Sequence, residues 1–345
     1  MMDGLAFFPE DTPVVALPNW NAPRLYVAAW NLVQRWSASA LFPAFRRVAR
    51  FRRMLLRLQG TFVPSVRRAR AGWILEKFLQ MASHPDLVPW AVLVGTPGPT
   101  QKLTVQLRGR EGEVVAYLKY GETEFAKKRL ANEWKVLQGL PPGFSPRPIA
   151  FGPIGPGVGI LVSALPGIPL VANPVPPAMV RAYLHAIQDM PGLQVEVDEH
   201  PWVQALVKAN PALEIAVANL AKRSWKVVPY HGDFAPWNLV QSKGKVMACD
   251  WEYGELQGFP AADLVYYVLQ TGVLLKRWSP ERAVQHAIRV LSDGTWPGLS
   301  PLEAGALVRL VAYDAYTKAL EDGHSPETPL QRWRKYVWES RWRAV

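Results

Sequence analysis

The 345-residue chain has a single cysteine, Cys249, so no intrachain disulfide can form and a reducing compartment is expected. Long apolar runs are missing too. The nearest approach to a membrane span, from Leu25 to Phe42, is interrupted by Gln34 and Arg35, which argues against a transmembrane helix. The opening MMDGLAFFPEDTPVV lacks the basic start and apolar stretch of a secretory signal, so a cytoplasmic protein is expected. No internal repeat and no low-complexity tract is present, which excludes solenoid and compositionally disordered architectures. Acids are scarce at the front end: between Arg46 and Arg70 there are nine arginines and no Asp or Glu.

An apolar content of 49% with 19% charged residues describes a folded protein, and the length suffices for two domains. The formal charge of +11 is uneven, because residues 1–90 carry twelve Arg or Lys against five Asp or Glu. Such a patch favours polyanions: nucleic acid, anionic lipid or a phosphorylated substrate. Specific nucleic-acid binding is not expected, since no zinc ligands, recognition-helix signature or aromatic strand motif accompany the charge. Phe45, Val48, Phe51, Leu55 and Leu58 recur at helical spacing, with Arg46, Arg50, Arg53 and Arg57 on another face, until Gly60 and Pro64 break the pattern. A second helix is expected over 65–82, with Trp73, Leu75, Phe78 and Leu79 turned inward. Two readings of this region compete: a basic helix lying on an anionic membrane through residues 41–70, and a helical cap packed on the body. The cap is favoured, because amphipathic helices usually belong to a core.

From residue 88 the period changes to two. Residues 90–94, 103–107 and 114–119 read as three consecutive antiparallel strands, a helix follows over 122–139, and a strand pair is expected at 149–151 and 159–163. After Pro166 and Gly167 the chain reads as mostly helical. Strands first and helices later indicate an α+β, two-lobed protein. The expected divisions are a basic helical extension (1–87), a nucleotide-binding lobe (88–165) and a helical catalytic and acceptor-binding lobe (166–345).

The chemistry-bearing residues concentrate in His231-Gly232-Asp233-Phe234-Ala235-Pro236-Trp237-Asn238 and in Asp250-Trp251-Glu252. Leu239-Val240-Gln241, a turn at Ser242-Lys243-Gly244, and Val246 to Cys249 form an expected hairpin that brings Asp250 back to the loop carrying Asp233 and Asn238. That arrangement suits phosphoryl transfer. Asp233 orients a hydroxyl and accepts its proton, while Asn238 and Asp250 offer oxygen ligands to Mg2+ on a nucleotide. His231 is expected to brace the loop, and Gly232 permits a tight or left-handed backbone. The bland alternative is a polar turn ahead of a hairpin. Lys119, ending the third strand, and Glu133, on the helix after it, match a lysine–glutamate pair that positions nucleotide phosphates. The loop from Gly95 through Gly98 to Thr100 can offer backbone N–H groups to phosphate, although Pro97 and Pro99 remove two donors, and an ordinary hairpin turn reads equally well.

These segments resemble the paired signature motifs of the aminoglycoside phosphotransferase and choline kinase-like superfamily. Gly258 to Leu264, containing Asp263, is similar to the segment that follows them, and Lys119, Glu133, Pro146 and Pro148 fall in the expected order. The resemblance spans roughly residues 88–320 and implies a protein-kinase-like fold using ATP or GTP with Mg2+. It implies Asp233 as catalytic base, Asn238 and Asp250 as metal ligands, Lys119 on phosphate with Glu133 as its partner, Asp263 as a structural residue, and backbone near Ser163 to Leu165 against the nucleotide base. The first eighty residues more faintly resemble extensions on superfamily members of bacterial polysaccharide biosynthesis.

The acceptor is less constrained. Candidate acids downstream are few (Glu252, Glu255, Glu281, Asp293, Asp314, Glu321 and Asp322), and a +11 protein suits a neutral or anionic saccharide better than a polycation. The tail from Gln331 to Arg343, including Arg341, alternates aromatic and basic residues. It reads equally as a membrane contact and as a helix docked on the body. The competing functional class is a pseudokinase or scaffold whose basic front end holds a membrane or partner.

Overall fold

The structure, a computed structural model, describes residues 3–42, 44, 47–62, 65–69, 74–340 and 342. Phe45, Arg46, Pro64, Arg70, Trp73, Arg341 and Arg343, invoked above, lie outside the described residues. The chain divides into two compact units, Met1–Trp134 with Pro146–Leu165, and Lys135–Ser145 with Pro166–Val345.

In the first unit, in chain order, are β1 (Pro13–Leu17), β2 (Leu25–Ala28), α1 (Leu32–Ala38), α2 (Arg47–Phe62), β3 (Val66–Arg68), α3 (Glu76–Met81), β4 (Val88–Val94), β5 (Leu103–Arg108), β6 (Val114–Gly121), α4 (Glu124–Gly139, whose end belongs to the second unit), β7 (Pro148–Ile154) and β8 (Gly157–Ser163). The strands form one antiparallel sheet in the order β3-β1-β2-β4-β5-β6-β8-β7. Register aligns Ala16, Tyr26, Val92, Val105, Leu118 and Leu161 in a single buried row across it. Phe7, Phe8, Leu75, Phe78 and Leu79 pack on that face. On the other face, Leu56 of α2 and Ala38 at the end of α1 cover Val15, Leu17, Leu25 and Val27.

Residues 1–87 are therefore not a purely helical extension. Three of their segments are strands that widen the sheet to eight. β1 and β2 are buried on both faces, so they carry no polar–apolar alternation to mark them as strands. The helix expected over 65–82 is corrected likewise: Val66–Arg68 pairs with β1, and α3 starts only at Glu76.

The second unit holds β9 (Ile168–Pro169), α5 (Ala178–Gln188), β10 (Gln194–Val195), α6 (Pro201–Ala209), α7 (Glu214–Ala218), β11 (Trp225–Lys226), β12 (Val228–Tyr230), β13 (Leu239–Ser242), β14 (Lys245–Ala248), β15 (Glu255–Gly258), α8 (Ala262–Lys276), α9 (Pro280–Leu291), α10 (Pro301–Glu321) and α11 (Pro329–Glu339). It is mainly helical, but the hairpin β13–β14 gains β9 as a third strand, and β10–β11 and β12–β15 form two further small pairs. Apart from the expected β13 and β14, these strands are two to four residues long, too short for period-two alternation to register. α8 is buried on every side from Ala262 to Gly272, and α9 and α10 pack around it. Ser279 and Ser300 cap the latter two, Ser300 in a full capping box with Glu303.

Candidate active site

The expected hairpin forms with Leu239 opposite Ala248 and Ser242 opposite Lys245. Lys243 and Gly244 both take positive φ (48° and 76°), the twist that a two-residue hairpin turn demands. This register carries the residue after β14 back to the residue before β13. The Cys249 N–H donates to the Asn238 carbonyl at 2.9 Å. Asp250 follows with φ 69°, a left-handed conformation uncommon for a non-glycine residue, which turns the chain immediately after the hairpin.

Ahead of the hairpin, β12 delivers the loop His231-Gly232-Asp233. Both oxygens of Asp263, at the start of α8, accept from this loop: Oδ2 from His231 N at 2.8 Å and Oδ1 from Gly232 N at 3.1 Å. Burial pushes the Asp263 carboxyl up to about 7, against the two N–H donors that favour its anion. Gly232 has φ 76°, and a Cβ there would sit 2.3 Å from the Tyr253 carbonyl oxygen, so glycine is required both by conformation and by space.

His231 is fully buried and lies against the Trp251 ring at 4.6 Å between centroids. Its Nε2 faces the Cys249 carbonyl at 2.9 Å and its Nδ1 accepts from the Asp233 N–H at 3.2 Å. These partners select the neutral Nε2–H tautomer and leave Nδ1 no proton to give. His231 thus ties the Asp233 loop to the hairpin.

Asp233 is held on both oxygens. Tyr266 OH donates to Oδ1 at 2.8 Å, and Asn238 Nδ2 donates to Oδ2 and to the Asp233 carbonyl, each at 2.9 Å. Burial pushes the Asp233 carboxyl up to about 6, the charge of Asp250 pushes in the same direction, and the Tyr266 and Asn238 donors pull it down. Asn238 thus spends its amide nitrogen on Asp233.

A cavity of about 350 Å³ opens beside Asp233, walled by Glu252, Tyr253, Tyr266, Gln270, Lys318, Gln331 and Arg334 among others. Its cations are already engaged. Lys318 pairs with Glu255 at 2.6 Å and Asp314 at 3.0 Å. Arg334, 8% exposed, donates to Ala315 O at 3.0 Å and to Tyr266 OH and Gln270 Oε1 at 3.3 Å each. Gln331 Oε1 is buried and accepts no hydrogen bond among the described residues.

Tyr266, Gln331 and Arg334 were not anticipated. Tyr266 stands three residues after Asp263, so both face one side of α8, and that spacing was the available signal. The residues of α11 were hidden in the aromatic–basic tail. That helix docks on α10 with Gln331, Arg334 and Val337 buried, and Trp333 Nε1 donates to Trp278 O at 3.2 Å. Of the seven acids considered for an acceptor pocket, only Glu252 lines this cavity. Glu255 and Asp314 hold Lys318, Asp293 pairs with Arg181 at 2.7 Å, and Asp322 accepts from Tyr253 OH at 2.5 Å.

In the first unit, Lys119 lies on β6 opposite Thr104 and Ile160, and its Nζ reaches Glu133 of α4 at 2.6 Å to Oε1 and 2.8 Å to Oε2. Gly121 lets the helix approach, since a Cβ there would lie 2.6 Å from the Ala126 methyl. Thr123 caps that helix, accepting from Ala126 N at 3.1 Å and donating to Pro99 O at 2.6 Å. The Gly95–Thr100 loop is the β4–β5 connection. Gly95 N–H is spent on Lys102 O at 2.8 Å and Gly98 O accepts from Gln101 N at 3.1 Å, a hairpin turn closed on itself. Ser163 ends β8, exchanging hydrogen bonds with the Arg147 backbone at 2.9 Å, and Leu165 is the last residue of the unit.

Solved structures similar to the chain can be set beside this geometry. Its structural neighbours include kinases and a phosphotransferase. They include the Plasmodium vivax ethanolamine kinase, with 12% identity over 72% of this chain and 80% of that one and a TM-score of 0.46. A choline kinase from Cryptosporidium parvum has 13% identity over 72% and 87%, TM-score 0.39. An aminoglycoside phosphotransferase from Streptomyces rimosus has 18% identity over 67% and 97%, TM-score 0.36. No family model matches the sequence, and no curated protein matches it.

Among the described residues, no three His, Cys, Asp or Glu side chains are grouped to hold a metal ion. Asn238, just ahead of the hairpin, carries an amide carbonyl and Asp250, just behind it, a carboxylate, and the Cys249–Asn238 backbone bond joins the two segments. Two hard oxygens of this kind fit Mg2+, which keeps several of its ligands as water and phosphate.

Proposed function

We propose that the protein is a phosphotransferase that moves the γ-phosphate of a Mg-nucleotide, ATP being the reference, to a hydroxyl of a saccharide or similar polyhydroxyl acceptor. The observation that carries this is Asp233: a carboxylate fixed on both oxygens by Tyr266 and Asn238, in the lining of a cavity of about 350 Å³. Asp233 orients the acceptor hydroxyl and takes its proton as the oxygen bonds to the γ-phosphorus and the bond to the departing nucleoside diphosphate breaks. Its raised pKa makes it a better proton acceptor than an ordinary carboxylate, while Tyr266 and Asn238 prevent it from rotating away. Asn238 and Asp250 would hold Mg2+, which when bound neutralises charge on the transferring phosphate. Lys119, kept extended by Glu133, is assigned to nucleotide phosphate.

The lining of the cavity supports an uncharged or anionic acceptor. Asp233 and Glu252 are the only acids among the residues that line it, beside the cations Lys318 and Arg334, so no acidic cluster is offered to a polycation. The orphan Gln331 Oε1 is a buried acceptor that a substrate hydroxyl satisfies.

The test is transfer from labelled ATP across a panel of neutral sugars, sugar acids, lipid-linked saccharides and aminoglycosides. Asp233→Asn should lower turnover on the order of 10²–10⁴-fold while leaving Mg-ATP binding intact. Retained transfer in that variant would sink the mechanism. A thermal-shift titration decides against the scaffold reading, because a ligand bound only by the native state raises its stability; no shift at millimolar Mg-nucleotide would favour the scaffold.

A further inference from the structure

The helix α2 is mounted the wrong way round for a protein that meets only water. Its packed side is Leu56, Gly60 and Thr61, and Gly60 lies so close to β1 that a Cβ would come within 2.9 Å of Leu17 Cδ1. The opposite side presents Val48, Phe51, Leu55, Leu58 and Phe62, with Val48, Phe51 and Phe62 exposed by 65, 65 and 68%. At 3.6 residues per turn these five fall in one stripe roughly a quarter-turn wide. Arg50 and Arg52, both exposed, flank the stripe on its two sides. Arg53 and Arg57 turn toward the body instead. Burial and the neighbouring arginines hold the Arg53 pKa below its usual value, and Arg57 lies over the Trp36 ring at 4.7 Å and donates to Ser39 Oγ at 2.8 Å. The adjoining segment extends the apolar exposure: Trp30, Leu32 and Val33, at and before the start of α1, are exposed by 58, 53 and 78%.

We propose that α2, with the start of α1, is a peripheral docking face for an anionic lipid bilayer. An outward apolar stripe flanked by arginines is the arrangement of a helix lying in the headgroup region, with its side chains among the acyl chains and its guanidinium groups at the phosphates. Charge complementarity selects the occupant: the exposed Arg50 and Arg52 beside the stripe, in a stretch with no acid between Arg46 and Arg70, match a surface of negative headgroups and repel a second copy of the same face. Exposed apolar area of this extent is uncommon on a monomer without a partner. The docking is peripheral, since no helix among the described residues is long and apolar enough to cross a membrane. The whole face lies within the first unit, so it stands independently of the catalytic reading.

The experiment is vesicle flotation of the full chain, with phosphatidylcholine alone and with phosphatidylcholine containing a third of phosphatidylglycerol. Binding to the anionic vesicles should be at least tenfold tighter and should weaken in high salt. Phe51→Glu with Leu55→Glu should lower it at least tenfold at an unchanged melting temperature, because both side chains are exposed. Val48→Gln with Phe62→Gln is the milder pair should the first fail to fold. Arg50→Glu with Arg52→Glu should abolish the preference for anionic vesicles while leaving any weak neutral binding. Absence of vesicle binding overturns the proposal, as does binding unchanged in the apolar variants. A dimer dissolved by the same substitutions assigns the face to a second copy, and co-purifying nucleic acid released by them assigns it to another polyanion; either outcome refutes the bilayer.

Discussion

Glu133→Ala isolates what the Lys119–Glu133 pair contributes. The ammonium sits 2.6 and 2.8 Å from the two carboxylate oxygens, with Glu133 1% and Lys119 13% exposed. At an effective dielectric of about 20 the direct attraction is on the order of 5 kcal/mol, most of it offset by the desolvation of both ions. Removing Glu133 cancels the attraction without restoring water to Lys119, so the first unit should lose ~3–5 kcal/mol. Replacing both partners by apolar residues of similar volume, Lys119→Met with Glu133→Leu, removes the desolvation cost along with the attraction and should return stability to within ~2 kcal/mol of the parent. Urea unfolding followed by hydrogen exchange in peptides from β6 and α4 reads the first unit separately from the second. The stabilisation by Mg-ATP should be lost in both variants, because neither presents an oriented lysine. A Glu133→Ala variant within ~1 kcal/mol of the parent, or a double variant less stable than the single, would refute the assignment of a tightly coupled buried pair.

Two further predictions concern the second unit. His200 is fully buried against Phe259, with its pKa lowered by burial from 6.5 to about 4. The unfolded chain therefore takes up the proton first, so the contribution of neutral His200 is complete above pH ~6.5 and is lost as the pH falls toward ~4, to a limit of about 3 kcal/mol; denaturation of His200→Gln should lack this part of the acid sensitivity. Gly232→Ala, forcing a Cβ 2.3 Å from the Tyr253 carbonyl at φ 76°, should cost at least ~3 kcal/mol and displace Asp233, read as a lower melting temperature together with lost transfer.

Much of the site was legible because it is local. Asp233, Asn238 and Asp250 are joined by one hairpin whose turn residues, Lys243 and Gly244, dictate its register, so their meeting follows from pattern and turn chemistry alone. Lys119 and Glu133 needed only a strand followed by a helix. Tyr266 and Arg334 were not anticipated, because Tyr266 reaches Asp233 from a helix 33 positions along the chain, signalled only by its spacing from Asp263, and Arg334 backs Tyr266 from a helix 101 positions beyond Asp233; no local period encodes which helix face meets a loop. The strands β1 and β2 escaped notice for a different reason: a short run buried on both faces carries no alternation.

Sequence by itself determined the groups on offer here: the Asp233 carboxylate, Asn238 and Asp250 on either side of a hairpin, a lysine with its carboxylate, and an arginine-rich front end without acids. Those are matters of residue type and short-range spacing, which bond geometry limits to few outcomes. Only the tertiary structure decided which groups remain available. It spent the Gly95 N–H on a hairpin, paired Lys318 with two acids, buried Arg334 beside the cavity, and left Gln331 Oε1 without a partner among the described residues. It also turned the apolar stripe of α2 outward, an orientation that periodicity cannot give. A helical period reports that a face exists, and the packing of Gly60 against Leu17 decides which face the body covers.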